Sequence, residues 1–205
     1  MRLNELTRPR SLVQSIRDEC KQILKLYASE PGRYLYRGSK RNVSMYKGVS
    51  QFERRPKDTD LTIHRNVVDA MINLGFTAHR GNSIFVTPSK HMARAFSSVV
   101  LGGQVYIIFP IDGFDYSWSP QVDDFYSDVI DSSDFAFGTN ITPDPRHRPG
   151  PKNMHELLVN LDYKDTDLDR VIKFSRSVEV MIHGSYYAIN SSYERQINAF
   201  IKGLK

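Results

Sequence analysis

The feature that most constrains this chain is the segment at residues 177–184, SVEVMIHG, which places one carboxylate inside an apolar strand pattern. Val178, Val180 and Ile182 recur at every second position, which is the period of a strand with one apolar face. Glu179 is then expected on the opposite face. A carboxylate buried there alone costs on the order of several kcal/mol, so it requires a partner. The plain interpretation is an ion pair with an Arg or Lys on a neighbouring strand, and the alternative is a functional carboxylate.

The rest of the chain alternates between helical and strand patterns. Apolar residues recur at helical spacing through residues 12–27, and Ser11 is placed to cap this helix. Residues 40–60 are basic and irregular, which predicts a mobile crossing. Residues 186–189 predict a hairpin partner for the Glu179 strand. The remaining strand patterns lie at residues 33–39, 83–87 and 105–111, and the remaining helical patterns at residues 61–74, 92–96, 157–161, 168–172 and 191–201.

This order predicts one α+β domain over residues 1–205, with helices flanking a mixed or antiparallel sheet and an N-terminal helical flank of about residues 1–32. No apolar run approaches the roughly 18 residues of a membrane span, and the N-terminus lacks the hydrophobic core of a signal peptide. We therefore expect a cytoplasmic monomer without membrane partners. The single cysteine, Cys20, lies on the apolar stripe of the first helix, which predicts a core thiol. The six histidines lack the spacing of metal ligands, so no metal is expected.

The formal charge of +5 is distributed unevenly. No Lys or Arg occurs between Arg94 and Arg146, an interval rich in Asp, whereas residues 40–57 and 146–152 are basic. This asymmetry predicts an acidic flank and a basic face. A basic face suits a phosphate-bearing ligand or a nucleic acid, although solvation alone explains most charged surfaces.

Three short motifs carry polar residues at the ends of predicted strands, and each has a plain explanation. Arg37 precedes Gly38 at the end of an early strand, where an Arg usually forms a salt bridge. Thr87 and Ser89 flank a proline before a helix, where such residues usually serve as caps. Glu179 follows late in the chain. In this order, however, the motifs resemble the mono-ADP-ribosyltransferases of the Arg-Ser-Glu type, a family of clostridial exoenzymes, bacterial effectors and toxins, and phage proteins.

The resemblance spans roughly residues 33–190. Residues 35–38, LYRG, match the aromatic-Arg motif of the family, and residues 85–89, FVTPS, stand where the family has aromatic-x-Ser-Thr-Ser. Residues 178–182, VEVMI, stand where it has the catalytic Glu. The resemblance implies a split mixed or antiparallel sheet and an NAD-dependent glycosyltransferase, with NAD as co-substrate and no metal.

It also implies a role for each matched residue. Glu179 stabilises the oxocarbenium-like state formed when the nicotinamide–ribose bond breaks. Thr87 holds Glu179 in position, Arg37 binds the diphosphate or the nicotinamide ribose with its planar fork, and Gly38 presents backbone groups to the nicotinamide. Tyr36 and Ser89 complete the NAD site. The candidates for stacking on the nicotinamide are Tyr36, Phe96, Tyr116 and Trp118.

Ser177 departs from the family pattern, since members that modify arginine carry Glu two positions before the catalytic Glu. On a strand Ser177 shares a face with Glu179 and would orient the acceptor. A hydroxyl cannot orient and partly deprotonate a guanidinium, so we expect no transfer to arginine. The acceptor stays open between a protein side chain and a nucleic acid of the host. Two alternatives remain: an NAD glycohydrolase on the same fold, and a non-enzymatic nucleic-acid-binding module built on the basic segments.

Overall fold

The structure, a computed structural model, describes residues 12–55, 60–97, 102–125, 127–128, 153–174 and 177–204. Helices and strands alternate as an α+β fold. The helices are α1 (Leu12–Glu19), α2 (Lys21–Ser29), α3 (Leu61–Asn73), α4 (Lys90–Phe96), α5 (Met154–Asn160), α6 (Leu168–Lys173) and α7 (Glu194–Lys202). The strands are β1 (Tyr36–Ser39), β2 (Met45–Val49), β3 (Ile84–Val86), β4 (Gln104–Pro110), β5 (Asp115–Trp118), β6 (Val180–His183) and β7 (Ser185–Asn190).

The strands form two antiparallel sheets. The larger sheet has the order β1-β4-β7-β2, with the apolar strand β4 inside it as the sequence predicts. The smaller sheet has the order β3-β6-β5. An isolated bridge between Tyr36 and Thr87 joins the edge strand β1 to the end of β3. The two sheets therefore meet where β1 and β3 carry two of the three sequence motifs.

Each face of the smaller sheet covers a separate apolar cluster. Val178, Val180 and Ile182 lie in the larger cluster, together with strand β4 and helix α2. Met181 points the other way, into a cluster that includes residues of α3 and α5. Both faces of β6 are thus buried, whereas the sequence pattern predicts one apolar face. Met181 occupies a position that the alternation assigns to the more polar side.

Local capping explains where the helices begin and end. The Asp60 carboxylate accepts hydrogen bonds from the first-turn amides of α3, and Gly75 follows that helix with φ +89°, as predicted for a helix stop. Ser89 caps α4 by accepting from the Met92 amide at 3.3 Å, which confirms its predicted role. For α6, Asp167 is the N-cap residue, with no hydrogen bond from its side chain to the first turn. Ser11 lies outside the described residues.

The N-terminal helical pattern is interrupted, contrary to the prediction of one helix. Cys20 has φ −123° and ψ 36°, which separates α1 from α2. The amides of Lys21 and Gln22 donate to the Asp112 carboxylate, so a distant acidic residue satisfies the exposed start of α2. The Cys20 thiol itself is fully buried, and burial raises its pKa to about 12, so its core assignment is confirmed.

Two strands occur where the sequence does not predict them. Strand β2 lies within the basic segment at residues 40–60, and it pairs with β7 from Met45 opposite Ile189 to Val49 opposite Ser185. Strand β5 lies at the start of the acidic segment and pairs with β6. Both strands are short, at five and four residues, so neither shows a clear alternation of apolar and polar residues. Their neighbours in the sheets, not their own patterns, fix them as strands.

The predicted hairpin between the Glu179 strand and residues 186–189 does not form. Strand β6 belongs to the smaller sheet, whereas β7 pairs with β4 and β2 in the larger one. Gly184, with φ +127°, redirects the chain between them. The last helix also differs from prediction, because a 3-10 turn at Ser191–Tyr193, capped by Asn190, precedes α7. Within the described ranges, no helix is both long enough and apolar enough to cross a membrane.

Candidate functional site

The three sequence motifs converge at the junction of the two sheets. The amide of Tyr36 donates to the Thr87 carbonyl at 2.7 Å, and the amide of Thr87 donates back at 2.9 Å. Strand β3 pairs with β6 so that Val86 lies opposite Val180. The same register, extended by one residue, sets Thr87 across from Glu179. The chain therefore brings residues about 50 and about 90 positions apart into adjacent strands, as antiparallel pairing allows.

Glu179 lies immediately before β6 and is paired with Arg80. Its amide donates to the Val122 carbonyl at 3.0 Å, so the strand ladder begins only at the next residue. An Arg80 Nη1 group donates to Glu179 Oε1, and the two side chains are 10% and 11% exposed. This ion pair is the kind of partner that the sequence pattern predicts for a buried Glu179. Its partner, however, comes from the turn before β3 and not from a neighbouring strand.

Arg80 also lies between two aromatic rings. Its guanidinium carbon is 4.8 Å from the ring centroid of Phe85 and 4.7 Å from that of Phe125. Such contacts stabilise a cation by about 0.5–2 kcal/mol each, more when water is excluded. Arg80 thus contacts two rings and one carboxylate, so the partner of Glu179 is itself held by packing.

The pKa of Glu179 reflects a balance between burial and nearby charge. Burial is the largest effect and raises the pKa above its ordinary value, while the cations of Arg80 and Arg54 oppose it. The Asp124 carboxylate raises the pKa further. The net direction is upward. A carboxyl group with a raised pKa in a partly dry setting is a common property of functional sites, although structural ion pairs show it too.

A cavity of about 690 Å³ is lined by residues of both sheets, among them Arg37 of β1 and Ile84 of β3. Four cationic side chains line it, and none of its lining residues is an Asp or Glu. They come from β1, the β1–β2 connection, β2 and the segment after β2: Arg37, Arg41, Lys47 and Arg54. The volume falls in the usual range of about 300–1,000 Å³ for small-molecule sites. A wall of this charge favours an anionic ligand, with a phosphate ester or diphosphate as the natural class.

Arg37 lines this cavity and carries an unsatisfied donor. Among the described residues, its Nη1 atom is the buried side-chain nitrogen or oxygen left without a hydrogen-bond partner. A buried unpaired donor costs about 1–3 kcal/mol, and more when it is charged. The adjacent cations have partners of their own: Lys47 pairs with Glu19 at 3.1 Å, and Arg41 lies 4.5 Å from the Tyr46 ring centroid. Arg37 is therefore a lining cation with a buried donor that no described residue satisfies.

Arg54 and Phe85 connect the cavity with the buried pair. Arg54 lines the cavity, and its guanidinium carbon lies 4.2 Å from the Phe85 ring centroid. Arg80 contacts that same ring. Glu179 is not among the residues that line the cavity. The carboxylate and the cation-lined space are thus neighbours across one aromatic side chain, not members of one open pocket.

Gly38 has a structural requirement that does not involve a ligand. A Cβ at this position would lie 2.2 Å from the Ala93 carbonyl oxygen and 2.6 Å from the Ser97 amide nitrogen. The end of α4 therefore packs directly on β1, and any side chain would push it away. The glycine predicted to face the nicotinamide is explained by this close approach, and it does not line the cavity.

Thr87 and Ser89 are engaged in local backbone bonds. The Thr87 hydroxyl accepts from the Ser89 amide at 3.2 Å, and Ser89 caps α4. The Glu179 carboxylate accepts a hydrogen bond from Arg80, and the role of Thr87 in holding Glu179 stays a prediction. Neither Thr87 nor Ser89 lines the cavity.

The candidate aromatic residues lie away from the cavity wall. Trp118 is fully buried, and its indole donates to the Thr166 carbonyl at 2.8 Å. Tyr36 is 5% exposed, whereas Phe96 is 53% exposed on α4. The aromatic residues that do line the cavity are Tyr46 and Tyr186, which sequence reasoning did not select. Ser177 is partly buried two residues before Glu179, and its role in orienting an acceptor stays a prediction.

Sequence reasoning also missed Arg80, Arg54 and Phe125. An Arg in a turn carries no periodic signal, and a contact across about 100 residues leaves no local pattern. The basic segment at 146–152 and the Pro-rich stretch at 143–151 lie outside the described residues. In the described part of the chain, no group of three or more His, Cys, Asp or Glu side chains could hold a metal ion. Comparison of the chain with protein-family models, with curated proteins and with solved structures gave no match.

Proposed function

We propose that this protein is an NAD-dependent mono-ADP-ribosyltransferase with an ADP-ribosyltransferase-like split sheet. One observation carries the proposal: Arg37, whose buried Nη1 has no partner among the described residues, lines a cation-rich cavity at the junction where the Glu179 strand begins. Arg37, which the family resemblance assigns to NAD binding, is thus the residue whose Nη1 lacks a hydrogen-bond partner. The strands form two sheets that meet at the bridge between Tyr36 and Thr87, and this arrangement fits a split sheet.

The diphosphate of NAD would occupy the cavity, with Arg37 and Arg54 as its partners. The nicotinamide ribose would extend past Phe85 toward Glu179. The bond between ribose C1′ and the nicotinamide nitrogen then breaks, and its electron pair leaves with nicotinamide. The positive charge left on the ribose is stabilised by the Glu179 carboxylate. The acceptor nucleophile forms the new bond to C1′ and loses its proton to solvent, which balances the transfer.

The test is incubation of the protein with labelled NAD and whole-cell lysate, with and without nuclease. Label on protein or on nucleic acid supports the proposed transfer and identifies the acceptor class, and agmatine should not stimulate nicotinamide release because Ser177 replaces a carboxylate. Label found only in free ADP-ribose indicates the glycohydrolase on the same fold. Unchanged NAD in every arm contradicts the proposal.

The cavity also favours a second candidate, a nucleic-acid-binding module without catalysis. Four cations without a carboxylate among the lining residues would attract a phosphate backbone. Phe52, 78% exposed, follows β2 and could stack on a base. This candidate predicts salt-dependent binding of single-stranded RNA or DNA that Glu179→Gln leaves unchanged.

A further inference from the structure

Arg80 is a residue that neither the family motifs nor the sequence pattern assigns, and its surroundings are unusually well defined. It lies in a turn that ends at β3, where the His79 amide donates to Asn82 Oδ1 at 3.0 Å and the Asn82 amide donates to the His79 carbonyl at 3.1 Å. The Asn82 side chain also donates to the Thr77 carbonyl at 2.9 Å. The backbone that carries Arg80 is thus fixed by a buried amide side chain.

The turn is also joined to the cavity wall. The Arg54 amide donates to the Gly81 carbonyl at 2.8 Å, so the segment after β2 is bonded to the residue next to Arg80. Phe85 contacts both guanidinium groups, at 4.2 Å from Arg54 and 4.8 Å from Arg80. A ligand that contacts Arg54 in the cavity therefore touches the same framework that holds the ion pair.

Without Arg80, the Glu179 carboxylate would face an apolar setting. Phe85 and Phe125 flank the guanidinium, and Met181 two residues on is fully buried. The other titratable or charged groups that act on Glu179 are Asp124, Arg54 and Tyr163. Of these, the Asp124 carboxylate disfavours a second negative charge, while burial and the Glu179 carboxylate raise the pKa of the Tyr163 phenol, which keeps it neutral. Arg80 is the group in direct contact that favours the ionised carboxylate.

We propose that Arg80 is a positioning residue for Glu179, holding its carboxylate ionised and in one orientation beside the cavity. This inference rests on the proposed function for its catalytic meaning, but the physical effect on Glu179 does not. Contact with two rings and one carboxylate suits a planar guanidinium. A lysine ammonium is not planar, so it cannot reproduce all three contacts with the same geometry.

The experiment compares Arg80→Lys and Arg80→Met with a control, Arg65→Met, in which an exposed Arg of α3 is replaced. The first readout is the titration of the Glu179 carboxyl carbon by NMR, assigned with Glu179→Gln. In Arg80→Met the titration midpoint should move to higher pH, so that the ratio of protonated to ionised carboxyl at the wild-type midpoint rises at least about tenfold. Arg80→Lys should give a smaller shift, and the control none.

The second readout is the pH profile of nicotinamide release. In Arg80→Met, kcat should fall by about tenfold or more while KM for NAD changes by less than about threefold, and the acid limb of the profile should move to higher pH. Arg80→Lys should recover part of kcat. A purely structural role would instead lower thermal stability and leave kcat per folded molecule and its acid limb unchanged.

The outcomes separate this inference from the proposed function. If the natural protein releases no nicotinamide, the proposed function fails, while the NMR titration still decides whether Arg80 controls the ionisation of Glu179. If Arg80→Met does not fold, Arg80→Lys carries the test through the same two readouts. A folded Arg80 variant with the wild-type titration midpoint and wild-type kcat overturns the inference.

Discussion

Arg37 and Arg80 both lie near the junction of the two sheets, and they differ in the partners of their guanidinium groups. Arg80 has a carboxylate partner and two aromatic ring centroids at 4.8 and 4.7 Å from its guanidinium carbon, and its side chain is 10% exposed. Arg37 has a buried Nη1 without a partner beside a cation-lined cavity. A buried charged donor without a partner is rare in a folded chain and calls for an explanation. The contrast separates Arg80, whose guanidinium has a carboxylate partner, from Arg37, whose buried Nη1 has none among the described residues.

The largest effect should come from removing the negative charge of Glu179 in its ion pair with Arg80. Glu179→Gln should lower nicotinamide release by about 10²–10³-fold, because the lost charge acts on the transition state, while NAD affinity changes little. Stopped assays of nicotinamide release and calorimetric NAD titration measure the two quantities. Glu53→Gln, at an exposed position, is the control. Turnover of the Gln variant at the natural rate would show that Glu179 is only a structural partner of Arg80.

A change of stability should follow at Gly38, next to Arg37 on β1. Gly38→Ala places a Cβ 2.2 Å from the Ala93 carbonyl oxygen and should lower the free energy of unfolding by about 2–3 kcal/mol. Gly203→Ala is the matched control, since its Cβ would lie at an ordinary 3.4 Å from the Phe200 carbonyl oxygen. Urea unfolding measures both. A neutral Gly38→Ala would remove the packing explanation and return Gly38 to the ligand site.

A smaller effect is expected when Arg37 is replaced by another cation. Arg37→Lys should weaken NAD binding by about tenfold, because one ammonium cannot replace a bidentate fork. Calorimetry on the natural protein, this variant and Arg94→Lys, an exposed change on α4, provides the comparison. Equal affinity in all three proteins would mean that the unpaired nitrogen of Arg37 does not contact the ligand.

The smallest effect concerns pH. The folded pKa of Glu179 is raised from its ordinary value of about 4.5, chiefly by burial, so the native state keeps the proton longer than the unfolded state. The contribution of this group to stability is therefore complete below about pH 4.5 and is lost as pH rises through the folded pKa. The natural protein should lose stability relative to Glu179→Gln across that window. Urea unfolding at several pH values checks it, and a constant difference between the two proteins would contradict the raised pKa.

Much of the scaffold was predictable because its signals are local. Helix α3, with its period of apolar residues and its stop at Gly75, and the cap of α4 at Ser89 depend on residues within a few positions of one another. The apolar run of β4 likewise required a place inside a sheet. The order of these elements led to the α+β class, which the structure confirms.

What only the tertiary structure decided depends on pairing between distant segments. Strand β2 forms because β7 supplies its hydrogen-bond partners. The predicted hairpin is absent because the chain turns at Gly184 and places β6 and β7 in different sheets. The sequence by itself determined that Glu179 needed a partner, since a buried carboxylate is costly alone. It could not name Arg80, because a contact across about 100 residues is chosen by the packing of Phe85 and Phe125 and leaves no trace in local spacing.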